Sequence, residues 1–210
     1  MPHSAHNMPH DENTPRMPHN AKAPQISRDA LSSRLWGRER ALFALALALL
    51  IAWCAVIAWF SAGTGDESQS LSDGVIATLV AILQPGFASL TQAQQLEVIA
   101  AWSFPIRKLA HFSEYFVLSG LAVHALCRAK AAFPQFSGLS VPRICIAAVA
   151  FCVLFACGDE LHQLFVDGRA GRLFDVGVDT AGAASFAAIF ALVTRRGRGR
   201  SGAQLPQQGD

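Results

Sequence analysis

The chain has 210 residues, of which 52% are hydrophobic and 15% charged, and its formal net charge is +2. That near-neutral balance and a positive mean hydropathy exclude a strongly basic nucleic-acid scaffold and a chain too polar to fold. They place the protein among membrane proteins, where the few ionisable residues within apolar segments are the first candidates for function.

Residues 1–33 are rich in Pro, His and Asn and predict a disordered cytoplasmic tail. Met-Pro-His occurs at Met1, Met8 and Met17, so the tail reads as low complexity or as an overextended start, with Met8 or Met17 the initiator. Its histidines (His3, His6, His10, His19) offer weak metal binding at most. Residues 34–194 then predict a membrane domain of four transmembrane helices. The first span, 41–60, is uncharged and about as long as a hydrocarbon core is thick, and it is longer than the apolar core of a signal peptide.

A long loop, 61–105, opens on a Gly-rich break and holds two shorter helical stretches. Asp73–Gln84 is apolar, and Thr91–Trp102 has Thr91 as its cap. The second span is expected at 106–127 with Pro105 in its first turn, the third at 144–165 after Pro142, and the fourth at 175–194. A basic cytoplasmic tail, 195–210, closes the chain.

Arginine and lysine placement gives an orientation. Arg28, Arg34, Arg38 and Arg40 precede the first span, Arg128, Lys130 and Arg143 lie between the second and third, and Arg195, Arg196, Arg198 and Arg200 follow the fourth. Positive-inside flanking accounts for these clusters without a nucleic-acid partner. Loop 61–105 carries acids and no Lys or Arg, so it is expected outside, with both termini in the cytoplasm of a cell inner membrane. Arg169 and Arg172 in the short outer loop run against the rule and are read as functional or ion-paired. The five cysteines (Cys54, Cys127, Cys145, Cys152, Cys157) form no C-x-x-C pair and are expected to be small buried hydrophobes.

This topology brings three polar helix ends to one level. The second span begins with Arg107, Lys108, His111, Glu114 and Tyr115; the third ends with Asp159, Glu160, His162 and Gln163; the fourth begins with Asp175 and Asp179. Spacings of three and four put Arg107, His111 and Glu114 on one helix face, and Asp159, His162 and Gln163 on another. Gly182 extends the Asp175–Asp179 stripe and permits close helix approach. His124 alone continues toward the inner side, which is too little for a transport path.

The residue types allow acid–base work by His111, Glu114, Asp159 and His162. The same four with Glu160 are ligand types for a divalent metal, although no H-E-x-x-H pattern is present. Arg107, Lys108, Arg169 and Arg172, with Tyr115, Gln163, Asp175 and Asp179, are candidates for holding a substrate through phosphate or carboxylate. The alternative is an ion-pair network that holds the bundle together in a non-catalytic accessory protein, since acids and bases are nearly balanced.

The segments RKLAHFSEYFVLSGL at 107–121 and DELHQLFVDGRAGRLFDVGVDTAG at 159–182 resemble the VanZ-like family of bacterial membrane proteins, over about 105–193. Asp167 stands where that family often has Pro. The resemblance implies an envelope protein with several membrane spans. It carries over Lys108, His111, Glu114, Tyr115, Asp159, Glu160, His162, Gln163, Arg169, Asp175, Asp179 and Gly182 as motif positions. The founding member is associated with low-level teicoplanin resistance, while no reaction is implied. The expected role is therefore to bind or process an amphiphilic, anionic envelope molecule, with the bilayer and a lipid-linked or glycopeptide ligand as partners.

Overall fold

A computed structural model of the protein describes residues 28–202, and all regular structure among them is helical. The helices are α1 (Arg28–Ala62), α2 (Gly65–Leu83), α3 (Gln92–Ala132), α4 (Val141–Gln163) and α5 (Leu173–Gly202), with 3-10 turns at Phe87–Ser89 and Pro134–Phe136. The expected disordered tail falls on residues 1–27, outside the described residues, and on the first turns of α1. The basic carboxyl-terminal segment continues α5 to Gly202, and its remainder also lies outside them.

Local chemistry explains where the helices begin. Thr91 caps α3 through a reciprocal box: its Oγ1 accepts from Gln94 N at 3.4 Å, and its own N–H donates to Gln94 Oε1 at 3.0 Å. That start corrects the expected second span. Thr91–Trp102 and 106–127 are one helix of 41 residues, and Pro105 lies inside it rather than at its opening. A proline there forfeits one backbone bond, but the preceding turns are already nucleated from the Thr91 cap. Ser140 precedes α4, with Pro142 in the first two positions where its missing N–H costs nothing. The stretch expected at Asp73–Gln84 is the carboxyl-terminal part of the longer α2.

Contacts at both ends fix how the long helices run. Ser61 and Gln163 meet at 3.0 Å, joining the carboxyl ends of α1 and α4. Arg128 near the end of α3 lies 3.7 Å from Glu39 near the start of α1, and the Phe43 and Phe133 rings pack edge to face there. Helices α1 and α4 therefore run one way and α3 and α5 the other. Helix α3 lies at the centre, packed most extensively against α5 and next against α1.

Small residues set the closeness of that packing. A Cβ on Gly182 would run into the Phe112 carbonyl, and one on Gly120 would meet the Phe186 ring at 2.9 Å. Ile57, Tyr115, Leu118, Cys152, Ala156 and Ala183 form the core beneath the polar end, and Ala122, Val123, Ile144 and Ala148 fill the other half. Cys157 departs from the expected burial and is exposed. Helix α2 and the Phe87 turn pack Ile76, Val80 and Phe87 onto Val98, Ile99 and Ile106 of α3, beside the bundle's polar end.

Among the described residues, three helices are long and apolar enough to cross a membrane: Leu35–Ala62, Val141–Gln163 and Leu173–Gly197. Their outer faces carry exposed Leu45, Ile51, Ile146, Leu154, Ile189 and Val193, as a lipid-facing surface requires. The second expected span is not among the three, because its segment of α3 carries Arg107, Lys108, His111 and Glu114.

Candidate functional site

The ends of α1 and α4, the start of α5 and the 107–115 stretch of α3 converge at one end of the bundle. Between them and α2 is a cavity of about 800 Å³. Arg107, His111 and Glu114 line it from α3, Asp159 and Gln163 from α4, and Arg169 from the loop before α5. Spacings of four and three on α3, and of four on α4, put each set on one helix face. Ile57, Trp59, Phe60, Val75 and Ile106 make the apolar part of the wall.

The cavity wall is tied together by short polar contacts. Gln163 Nε2 donates to Ser61 Oγ at 3.0 Å and to Asp159 Oδ2 at 3.1 Å, so one amide links α1 to the α4 carboxylate. Arg169 donates from Nε to the Gly63 carbonyl at 3.1 Å and from Nη2 to the Phe60 carbonyl at 3.0 Å. It thus satisfies the open carbonyls at the end of α1, where the helix dipole is negative. Burial, and next the neighbouring charge of Arg107, pulls the Arg169 guanidinium below its ordinary pKa. Trp53 Nε1 donates to the Glu114 backbone carbonyl at 3.0 Å, which holds α1 against α3 beneath the cavity.

A second polar layer lies behind this wall and joins α3 to α5. Lys108 Nζ pairs with Asp175, and its ammonium lies 5.4 Å from the Phe104 ring centre and 5.8 Å from that of Phe174. His111 turns Nδ1 toward Asp179 Oδ1 at 3.5 Å, an ion-pair separation longer than a good hydrogen bond. Asp179 is 1% exposed. Glu160 turns away from the cavity, and its Oε2 accepts the Arg172 backbone N–H at 2.6 Å. That bond and the positive φ of Gly168, 73°, shape the 164–172 turn.

The expected site residues therefore divide. Arg107, His111, Glu114, Asp159, Gln163 and Arg169 surround the cavity, while Lys108, Asp175 and Asp179 bind the helices behind it. His162 is exposed and lies off the cavity wall, because a step of one residue from Gln163 turns it about 100° around α4. Tyr115 is 1% exposed within the core, and its hydroxyl has no hydrogen-bond partner among the described residues. Arg172 contributes its backbone N–H, and its side chain is exposed. The metal set of His111, Glu114, Asp159, Glu160 and His162 does not converge, since Glu160 and His162 point elsewhere. Among the described residues, no group of three or more His, Cys, Asp or Glu side chains is placed to hold a metal ion.

Several wall residues lay outside the sequence expectation: Ser61, Trp59 and Phe60 at the end of α1, and Ser72 and Val75 on α2. Ser61 had a signal, being the first polar residue after the twenty-residue apolar run. The α2 contribution had none, because it depends on how the α2–α3 connection folds back.

The model of the VanZ/LLP1 family matches residues 46–194. That range contains α2, α3, α4, most of α5, the whole of the cavity wall and most of the apolar part of α1. Neither the curated proteins nor the solved structures include a match to the chain.

Proposed function

The chain belongs to the VanZ/LLP1 family of membrane proteins, and from that premise we propose that its cavity receives an amphiphilic envelope molecule with an anion in its head group. The carrying observation is the division of the cavity wall. Arg107 and His111 stand on the polar side, while Ile57, Trp59, Phe60, Val75 and Ile106 offer a surface for an acyl or polyprenyl chain. Trp59 is 80% exposed, and Phe60 and Val75 are each 57% exposed, so the rim is apolar and opens where lipid can reach it.

The α3–α5 layer supports a structural role for the rest of the polar set. Lys108–Asp175 and His111–Asp179 join the two most extensively packed helices. On this reading the bundle's ion pairs hold the cavity open, and the cavity does the binding. His111, Glu114 and Asp159 remain the residues for acid–base work on a bound molecule. The connection to teicoplanin susceptibility that the resemblance implies belongs to this proposal. A ligand drawn from the envelope is the kind of molecule whose availability a glycopeptide would sense.

Mass spectrometry of amphiphiles retained by the detergent-purified protein tests the reading. A retained phosphate- or carboxylate-headed amphiphile is expected, with about a tenfold loss in Arg107→Ala, corresponding to about 1.4 kcal/mol. A folded protein that carries only bulk lipids in their bulk proportions, unchanged by Arg107→Ala, refutes it.

A further inference from the structure

The cavity wall is not simply cationic. Arg107 and Arg169 face it, and so do Glu114 and Asp159. The Arg169 charge is directed at the Phe60 and Gly63 carbonyls, so much of it offsets the negative end of α1. Asp159 receives one N–H, from Gln163. The Glu114 carboxylate accepts no hydrogen bond from the described residues: the nearby indole N–H of Trp53 is spent on the Glu114 backbone carbonyl. A carboxylate at membrane depth is costly unless something positive or hydrogen-donating answers it. On the cavity wall, that something can be the ligand.

We propose, resting on the amphiphile reading above, that the head group is zwitterionic and carries an ammonium as well as an anion. The ammonium lies between Glu114 and Asp159, and the anion lies on the Arg107 side. Three features of the wall fit this. A primary ammonium has three donors and no acceptor, which suits two carboxylates one helix apart. The Trp59 and Phe60 rings add faces attractive to a cation. The wall also combines opposite charges within one cavity, whereas a purely anionic head would bring a further negative charge beside Glu114 and Asp159 and offer neither a donor. The class is an amine-bearing phosphate amphiphile of the phosphoethanolamine type.

The experiment is competition on the full-length protein in a neutral detergent, read by native mass spectrometry. The probes are phosphatidylethanolamine, its N-acetylated derivative, which keeps the phosphate and loses the ammonium, and phosphatidylglycerol. The protein is expected to retain phosphatidylethanolamine about tenfold over either of the others, equivalent to about 1.4 kcal/mol. Glu114→Gln is expected to bring retention of phosphatidylethanolamine down to the level of the other two probes. Asp159→Asn, checked for helix content and monodisperse elution, is the second variant should Glu114→Gln fail to fold. Equal retention of the three probes, or a preference unchanged in both variants, overturns the zwitterion assignment and leaves the amphiphile reading standing. No retention of any probe overturns both.

Discussion

Lys108 and Asp175 meet across α3 and α5 with the Phe104 and Phe174 rings around the ammonium, which leaves little room for water to take over from either partner. Asp175→Asn therefore strands a largely buried charge, and the expected loss is about 3 kcal/mol of stability. Exchanging the pair, Lys108→Asp with Asp175→Lys, restores the attraction but takes the ammonium away from its rings, so partial recovery is expected. Thermal unfolding in detergent, followed by circular dichroism, reads both changes. An Asp175→Asn protein that melts with the unaltered one removes the pair from the stability argument. The partner of Lys108 was not legible in the chain: Glu114 lies nearer in sequence, yet Asp175, 67 positions away, makes the contact. The same limit separates neighbours on α4. Asp159 and Gln163 reach the cavity, and Glu160 and His162 between them do not. Sequence spacing says which residues share a face, but the orientation of that face is decided by what packs on the helix.

Helices α3 and α5 touch at backbone level where Gly182 passes the Phe112 carbonyl. Gly182→Ala forces these backbones apart, with an expected cost of about 1–3 kcal/mol from overpacking. Gly177, on the same helix, has nothing within 4 Å of an added Cβ. Gly177→Ala is therefore expected to be neutral, or stabilising by up to about 1 kcal/mol through helix propensity. Unfolding of the two single variants in parallel checks this, and equal effects would show that Gly182 is not a packing point. The role of Gly182 was readable from its position on the Asp175–Asp179 stripe. The extent of α3 was not. Proline at 105 reads as a beginning, but the Thr91–Gln94 box already supplies one, and a nucleated helix carries through a single missing bond. Three apolar helices were legible as spans because their composition alone suffices. The segment 106–127 carries the site, and charge at the site lowers the very signal by which a span is recognised.

At the scale of the whole molecule, that segment decides the topology. From Arg107, at the cavity, to Arg128, beside Glu39, α3 advances 21 residues, or about 32 Å at the helical rise. A hydrocarbon core is about 30 Å thick. The same helix lies beside α1 at both ends of the bundle, so we propose that α3 crosses with it and that the crossings number four. Arg38, Arg40, Arg128, Lys130, Arg143, Arg195 and Arg196 all belong to the end of the bundle away from the cavity, and the positive-inside rule supports proposing that end as the cytoplasmic one. Arg169 breaks that rule only as a count of charges, for its guanidinium is committed to the carbonyls closing α1. On that proposal the cavity opens on the outer side, where envelope amphiphiles are exposed. Reporter fusions test this: a fluorescent protein that matures only in the cytoplasm, and a phosphatase active only outside it. Fluorescence is expected from fusions after residue 210 and within the turn around Gly138, and phosphatase activity from an insertion near Gly65. If the carboxyl-terminal fusion instead gives phosphatase activity, α3 does not cross, the number of spans is three, and the four-crossing topology fails with the orientation inferred from it.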